Sequence, residues 1–507
     1  MKASYLSVTI LLLFALLFGC LPSTAQQKPQ QVVIDVSAPT TPFPHFWEQM
    51  FGSGHAALVL RANYQKDLRS VKKVTEFRYV RFHAIFDDDL GVYNEDSHGN
   101  PVYNFQYIDE IYDALLTNGV RPFVEISFMP KKLAAKQSIQ AFWYKPNVSP
   151  PKDYAKWDAL IRAFAQHLVN RYGIDEVSKW YFEVWNEPNI DFWAGVPKQA
   201  TYFELYDHTA KDLKSVSPRL RVGGPATSSA HWIPEFIAHC AKNDIPVDFI
   251  STHGYADDTV QNLFGTNENI PMDQRVCRAI KKVDGQIRSS ARPKLPLMWT
   301  EWNVPSFDSL KARDTIYVGA ALADDVRQCD GLVDMMSFWT FDDVFEENGP
   351  IAYPFSGQFG LIAEGGIKKP SYDGFALLHK LGHERLANAA HNVLVTKRKD
   401  GTLAIATWNL VDPPKKGESE PMRFTFHDVD PDARYAVYRL DATHGNTLAA
   451  YEAMGKPQYP TQKQIKELNA ASVIVPEYGS LKNGTAEFDL SPNELLIMEI
   501  SRGTSAP

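Results

Sequence analysis

Two glutamates lie at the ends of short runs of bulky apolar residues. The run Trp180–Trp185 is followed by Asn186-Glu187-Pro188, and the run that starts at Leu295 continues into Thr300-Glu301-Trp302-Asn303. Bulky residues favour buried strands, and Pro188 cannot donate to a sheet ladder, so the first strand should end there. The two glutamates are 114 positions apart, which is about three strand–helix units of roughly 35 to 40 residues each. Both should therefore lie at strand ends, where α/β barrels carry their active sites.

A pair of carboxyl groups facing one cavity suits the hydrolysis of a glycosidic bond. One group must stay protonated near neutral pH to donate to the leaving oxygen, and the other must be ionised to attack or stabilise a cationic sugar carbon. The alternative is that each glutamate is a structural residue inside the barrel, satisfied by an arginine or by the backbone. The sequence around Glu187 and Glu301 favours the catalytic interpretation.

Seven motifs together resemble glycoside hydrolase family 39, which contains β-xylosidases and α-L-iduronidases. They occur in the family's order over roughly residues 45 to 385, and they are Phe51-Gly52-Ser53-Gly54-His55, Arg81-Phe82-His83 with Asp87-Asp88-Asp89, Phe128-Met129-Pro130, Trp185-Asn186-Glu187-Pro188, His253-Gly254-Tyr255, Thr300-Glu301-Trp302-Asn303, and Phe338-Trp339-Thr340-Phe341 through Glu346-Glu347. The resemblance implies a retaining barrel enzyme with Glu187 as acid/base and Glu301 as nucleophile.

The resemblance also implies roles for residues around this pair. Tyr255 would donate a hydrogen bond to Glu301, and Asn186 would bind the sugar's 2-hydroxyl. Asn186 and Glu187 can both reach the pocket only if the strand bulges or ends there, because adjacent strand residues face opposite sides. The remaining predicted substrate-binding residues are His83 and His253 for other hydroxyls, Trp339 as an apolar floor, and the acidic pair Glu346 and Glu347 at the far end of the sugar.

Arg81 has two interpretations from the sequence. It lies two residues before His83 and so on the same strand face, from which it could add positive charge near Glu301. It could equally be a structural residue buried against Glu125 or Glu183.

Strand-like and helix-like segments alternate from His45 to about residue 386, which predicts a (β/α)8 TIM barrel over residues 45–386. The eight candidate strands are Phe46–Gly52, Tyr79–Ala84, Arg121–Phe128, Trp180–Glu187, Leu220–Gly224, Asp248–His253, Leu297–Trp302 and Asp334–Phe341. The long loops after the third and eighth strands should shape the substrate site.

The segments on either side of the barrel predict an accessory domain. Residues 387–507 contain short β-like runs separated by turn residues, which favours a β-sandwich, with a helix near Gln462–Leu468 inside an insertion. Residues 26–44 include a strand at Val32–Val36 that, by resemblance, joins the C-terminal sheet.

Composition and cysteine spacing narrow the possible partners. The net charge of −8 and the lack of long basic runs argue against nucleic acid or an anionic membrane as partner. No Cys/His spacing resembles a zinc site and no Gly-rich phosphate loop occurs, so we expect no metal and no cofactor. Cys240, Cys277 and Cys329 are predicted to be free, buried thiols.

The N-terminus predicts export. Lys2, an apolar run from Leu6 to Phe18 and the small residues of Ser23-Thr24-Ala25 indicate a signal peptide at residues 1–25, too short in its apolar part to span a membrane. An alternative is lipidation at Cys20, which would anchor the protein. The expected location is the periplasm or the medium.

The sequence therefore predicts a retaining, exo-acting β-xylosidase that acts on xylo-oligosaccharides. The acidic pair Glu346 and Glu347 would repel a uronate, which disfavours an iduronidase-like activity. The alternatives are an iduronidase-like or other β-glycosidase of the same fold, and a carbohydrate-binding barrel without turnover, for which a proton donor opposite a nucleophile would have no use.

Overall fold

The computed structural model describes residues 28–305 and 311–501. The predicted signal peptide at residues 1–25 and the alternative lipidation site at Cys20 lie outside the described residues. Of the helices that are described, none combines the length and the apolar character needed to cross a membrane.

Within residues 28–305 and 311–501 the strands form five sheets, including one closed barrel. In chain order they are β1 (Gln30–Asp35), β2 (Thr40–Pro42), β3 (Met50–Gly52), β4 (Tyr79–Phe82), β5 (Tyr93–Glu95), β6 (Pro101–Tyr103), β7 (Arg121–Ile126), β8 (Tyr181–Val184), β9 (Arg221–Thr227), β10 (Phe249–His253), β11 (Leu297–Trp302), β12 (Met335–Phe338), β13 (Ile362–Ala363), β14 (Ile367–Lys368), β15 (Glu384–Leu386), β16 (Val393–Lys397), β17 (Leu403–Trp408), β18 (Glu420–His427), β19 (Arg434–Leu440), β20 (Glu477–Ser480), β21 (Thr485–Leu490) and β22 (Leu495–Ile500).

Most of the α-helices connect the barrel strands. In chain order, all the described α-helices are α1 (Ala62–Lys72), α2 (Gln106–Thr117), α3 (Tyr154–Tyr172), α4 (Ile174–Val177), α5 (Lys198–Val216), α6 (Ile233–Lys242), α7 (Val260–Phe264), α8 (Met272–Arg288), α9 (Tyr317–Cys329), α10 (Pro370–Leu378), α11 (Thr447–Ala453) and α12 (Gln462–Ala471).

The barrel closes in the order β3-β4-β7-β8-β9-β10-β11-β12, and neighbouring strands are parallel. Every predicted barrel strand has a counterpart, which confirms the (β/α)8 TIM barrel. Several are shorter than predicted, such as the first, Met50–Gly52 instead of Phe46–Gly52, and the fourth, Tyr181–Val184 instead of Trp180–Glu187. The fourth strand bears directly on the site. It ends early because Trp185 and Glu187 have positive φ angles of 72° and 43°, a backbone conformation that does not continue a strand.

The barrel interior changes from apolar to charged along the strand direction. Residues near the start of the strands, among them Met50, Phe123 and Phe249, form a small buried apolar cluster. Side chains on one face of a strand recur at every second residue. Two residues beyond the level of this cluster, the interior positions of β4, β7 and β8 therefore carry Arg81, Glu125 and Glu183. The barrel therefore has an apolar base and a charged layer beneath the carboxyl ends of its strands.

The C-terminal domain is built from two sheets that share a core. One has the order β1-β18-β21 and the other β2-β15-β16-β17-β22-β19-β20. Apolar residues of both, including Ile34, Phe424, Ile405 and Met498, are buried in one cluster, as in a β-sandwich. The sandwich includes β15, three residues before the predicted domain start at residue 387, and its first two strands come from the N-terminal segment, with β1 parallel to β18.

The cysteine prediction was partly wrong. Cys277 in α8 and Cys329 at the end of α9 form a disulfide bond, with Cα atoms 5.0 Å apart. The sequence could not show that the helices carrying Cys277 and Cys329 are neighbours in the ring around the barrel. Cys240 is a free, buried thiol, as predicted.

Candidate active site

Glu187 reaches the cavity at the carboxyl end of the barrel because β8 ends before it. With positive φ at Trp185 and Glu187, the strand alternation is lost, so Asn186 and Glu187 both line the same cavity. The Glu187 amide donates to the Ala226 carbonyl at 2.8 Å, which ties this turn to the end of β9. The side chain is only 12% exposed, so the carboxyl group is largely removed from water.

Glu301 projects from β11 and is held by two hydrogen-bond donors. The Tyr255 hydroxyl donates to Oε2 at 2.7 Å, and Arg81 Nη1 donates to Oε1 at 2.7 Å. Donors on both oxygens fix the orientation of the carboxylate. The structure thus contains the hydrogen bond that the resemblance implied for Tyr255.

The two glutamates face each other across a short gap. One carboxylate oxygen of Glu187, one of Glu301 and a ring nitrogen of His253 all lie within 4.8 Å of one another. Retaining glycosidases separate their carboxyl groups by about 5–5.5 Å, whereas inverting enzymes need about 6.5–9.5 Å to fit a water molecule. The spacing supports direct attack by one carboxylate on the sugar.

The pKa of Glu187 suits a proton donor. Burial raises it to about 7, although the positive charges of His83 and Arg81 oppose the shift. His253 Nδ1 lies 3.0 Å from Glu187 Oε1. Burial lowers the pKa of this histidine to about 4, although the negative charge of Glu301 opposes the shift. A neutral His253 can donate to ionised Glu187 or accept from its protonated form, so it orients the carboxyl group without fixing its charge.

Arg81 fulfils both predictions made for it. Its guanidinium is fully buried and binds Glu183 at 2.6 Å, Glu125 at 2.8 Å and Glu301 at 2.7 Å, and Nη2 also donates to Asn186 Oδ1 at 2.9 Å. Burial opposes the charge of Arg81, but these carboxylates raise its pKa further above its usual value. The structural layer inside the barrel therefore positions both Glu301 and Asn186.

His83 brings a second positive charge to the cavity. Its Nδ1 is 2.6 Å from Glu125, and its Nε2 lies 3.6 Å from Glu347 and 3.9 Å from Glu301. Burial lowers the pKa of His83, but Glu125, Glu347 and Glu301 outweigh this effect and raise it to about 10. The imidazolium thus stays charged near neutral pH, next to the carboxylates that it contacts.

Trp339 forms an apolar wall of the cavity and is 3% exposed. A Cβ at Gly52 would lie 2.0 Å from Trp339 Cε3, so the ring needs a glycine beneath it. This requirement gives a physical reason for the glycine in the Phe51-Gly52 motif. An aromatic plane can pack against the apolar face of a sugar ring.

The acidic pair after β12 points in two directions. Glu347 lines the cavity, and burial raises its pKa although His83 opposes the shift. Glu346 does not line this cavity: its carboxylate binds Arg61 at 2.5 Å, and it lies in a neighbouring depression instead. Both residues were predicted to bind the far end of the sugar, because the sequence does not show which of two adjacent loop residues faces inward.

The cavity has a volume of about 410 Å³, within the usual range for small-molecule sites. It brings together the predicted residues His83, Asn186, Glu187, Tyr255, Glu301, Trp339 and Glu347. His253 lies beneath it, in contact with both glutamates.

Among the residues that the structure describes, six that line the cavity were not predicted, namely Phe142, Phe192, Asp257, Asp258, Arg313 and Phe359. Asp257 and Asp258 follow the His253-Gly254-Tyr255 motif closely enough to have been suspected. Arg313 offered no signal in the sequence, although its guanidinium packs 4.6 Å from the Phe359 ring and pairs with Asp257 at 3.3 Å.

Glu187, His253 and Glu301 have the residue types and spacing of a metal site. However, Arg81 donates to Glu301 Oε1 at 2.7 Å, and its permanent positive charge would repel a cation there. The arrangement instead fits acid/base and nucleophilic chemistry by the two carboxyl groups.

Comparisons with known proteins agree with this chemistry. Residues 30–483 match the model of the family described as Glycosyl hydrolases family 39. The chain is 37% identical over 478 residues to a beta-xylosidase of Geobacillus stearothermophilus, which covers 91% of this chain and 93% of that protein. It is 35% identical over 502 residues to a beta-xylosidase of Caldicellulosiruptor saccharolyticus, covering 94% and 100%.

A solved structure extends this similarity to the fold. The crystal structure of a monomeric beta-xylosidase from Caulobacter crescentus CB15 superposes with a TM-score of 0.84 at 34% identity, and the match covers 93% of this chain and 99% of that chain. With a family match over most of its length, the chain belongs to glycosyl hydrolase family 39 and is a glycosidase.

Proposed function

We propose that the protein is a retaining, exo-acting β-xylosidase that releases xylose from the non-reducing ends of xylo-oligosaccharides. The observation that carries this proposal is the close approach of the Glu187 and Glu301 carboxyl groups, within 4.8 Å. The similarity to beta-xylosidases over nearly the whole chain supports xylose as the sugar.

In the first step Glu301 attacks the anomeric carbon while Glu187 donates its proton to the departing oxygen. The result is a covalent glycosyl-enzyme in which Glu301 no longer carries a charge. Loss of this nearby anion lowers the pKa of Glu187, and the positive charges of Arg81 and His83 remain. Glu187 can then act as a base toward water, which releases the sugar and restores Glu301.

The charges around the cavity support a neutral substrate. Apart from Glu187, which is protonated when it acts as the acid, the acidic lining residues among those described are Glu301, Glu347, Asp257 and Asp258, against the cations His83 and Arg313. Each cation already lies near a carboxylate, His83 near Glu347 and Arg313 near Asp257. A uronate would meet net repulsion, which favours a pentoside over an iduronide.

Two variants and an exogenous nucleophile test the mechanism. Glu301→Ala should abolish turnover of aryl β-xylosides. Glu187→Ala should slow substrates with poor leaving groups by about 10²–10⁴-fold, the usual contribution of a positioned acid. With a good leaving group, glycosylation should survive in Glu187→Ala, and azide should rescue the slow second step with formation of β-xylosyl azide.

Equal losses in both variants, without azide rescue, would contradict these roles. A panel of chromogenic glycosides assayed with the mature parent chain tests the sugar. Faster hydrolysis of an iduronide or a hexoside than of a β-xyloside would contradict the substrate assignment, and binding of xylo-oligosaccharides without any turnover would favour a carbohydrate-binding barrel.

We also propose that the protein is exported. The predicted signal peptide at residues 1–25 supports this location, and so does the Cys277–Cys329 disulfide, because such bonds form mainly in oxidising compartments. Mass spectrometry of the mature chain after expression with its own leader tests both routes. A first residue near Gln26 indicates signal-peptide removal, a lipid on Cys20 indicates the anchored form, and an unprocessed cytosolic chain contradicts export.

A further inference from the structure

A second cluster of titratable side chains lies at the opposite end of the barrel from the catalytic glutamates. His45 precedes β3, Glu76 precedes β4, and His383 lies just before β15 in the segment that leads from the barrel into the sandwich. Residues that precede barrel strands lie at the amino-terminal face, which serves stability rather than catalysis in this fold. The cluster therefore needs an explanation separate from the glycosidase mechanism.

The spacing within this cluster matches the ligand set of a zinc ion. One ring nitrogen of His45, one ring nitrogen of His383 and one carboxylate oxygen of Glu76 lie within 4.8 Å of one another. His383 Nε2 and Glu76 Oε1 are 3.4 Å apart. Two ligands that each lie about 2.0–2.1 Å from a tetrahedral zinc ion are separated by roughly 3.3–3.4 Å, so these two side chains lie close enough to share one ion once the His383 ring is turned toward it.

His45 is oriented as a metal-binding histidine usually is. Its Nδ1 lies 2.5 Å from Oε1 of the buried Glu48, and the same carboxylate is 2.9 Å from His379 Nδ1. This contact occupies Nδ1, so Nε2 is the ring nitrogen left to face a ligand. His45 is 2% exposed, and within the described ranges its Nε2 has no hydrogen-bond partner. A carboxylate behind a histidine in this way orients the ring and raises its basicity toward a metal.

We propose that His45, Glu76 and His383 bind one Zn²⁺ ion, with a fourth position open to water. Imidazole and carboxylate ligands suit zinc, whereas calcium and magnesium prefer oxygen ligands alone. The other oxygen of Glu76 pairs with Arg78, which leaves Oε1 for the ion. The ion would join the amino-terminal face of the barrel to the segment that leads into the sandwich, so its role is to stabilise the junction between the two domains.

Binding requires one side chain to move. The His45 and His383 rings stack with centroids 4.3 Å apart and an angle of 30° between planes, and an imidazole lone pair lies in the plane of its ring. His383 must therefore turn so that its Nε2 points at the ion. Its side chain is 53% exposed, which leaves room for this rotation.

Zinc titration of the untagged, chelator-treated mature chain tests the proposal. Isothermal titration calorimetry and elemental analysis should show one Zn²⁺ per chain, and zinc should raise the unfolding temperature because it binds only the folded state. His383→Ala and Glu76→Gln should each weaken zinc binding at least tenfold. Glu48→Gln, which changes the group behind His45, should weaken it by about 10- to 100-fold.

A matched control is His444→Ala, which removes another half-exposed histidine, paired with Asp441 at 3.0 Å in the sandwich. It should bind zinc as the parent does. No zinc binding by the parent, or parental affinity in both His383→Ala and Glu76→Gln, would overturn the proposal. Stabilisation by calcium or magnesium equal to that by zinc would also contradict it.

Discussion

The burial of Glu187 makes the activity of the enzyme depend on pH in a definite direction. Its pKa is raised to about 7, and the first step needs the protonated acid. We therefore expect kcat/KM to fall about tenfold for each pH unit above this value. Measurement of kcat/KM for an aryl β-xyloside with a poor leaving group between pH 5 and 9 checks this expectation.

The same profile for Glu187→Gln provides the control, since the variant has no group to titrate at this position and should lose the alkaline limb. A parent profile that stays flat to pH 9 would show that Glu187 is not the titrating acid.

The two neighbouring acids after β12 should differ in their effect on catalysis. Glu347→Gln changes a cavity residue next to His83, and we expect it to lower kcat/KM by about 10- to 100-fold, the usual cost of losing a hydrogen bond to a charged group. Glu346→Gln breaks a partly exposed ion pair with Arg61 and should cost much less. Measurement of kcat/KM for both variants on xylobiose tests this difference. A larger loss of kcat/KM in Glu346→Gln than in Glu347→Gln would contradict the assignment of Glu347 to the cavity.

At the scale of elements, the disulfide between α8 and α9 should stabilise the helical ring. It joins residues 52 positions apart, so its loss should lower the free energy of unfolding by about 2–4 kcal/mol. Urea denaturation of the Cys277→Ser/Cys329→Ser double variant measures this loss. A reducing agent should destabilise the parent by a similar amount and leave the variant unchanged, and equal stability of oxidised and reduced parent would contradict the prediction.

The elements also show what the sequence could reveal. Apolar periodicity and turn residues predicted each barrel strand and the helix near Gln462–Leu468, found as α12 (Gln462–Ala471), because these signals are local. The disulfide, the inward turn of Glu347 and the Arg313–Asp257 pair depend on which distant segments become neighbours. Local patterns contain no record of such proximity, so these features could not be predicted.

At the scale of the whole molecule, the N-terminal strand should stabilise the sandwich. Ile34 in β1 is 2% exposed, whereas its neighbour Val33 is 58% exposed. Ile34→Ala should therefore lower the free energy of unfolding by about 2–5 kcal/mol, and Val33→Ala by no more than about 0.5 kcal/mol. Chemical denaturation of the two variants checks this contrast, and equal effects would mean that β1 does not pack as described.

The sandwich is completed by strands from both ends of the chain, which has a consequence for biogenesis. The segment with β1 and β2 is synthesised first, yet its partners β18 and β15 follow only after the entire barrel. β1 and β2 therefore remain without their sheet partners until synthesis is nearly finished. Residues 387–507 produced alone would lack three strands and expose the edge of β18, so this domain cannot be excised at the barrel boundary and be expected to fold.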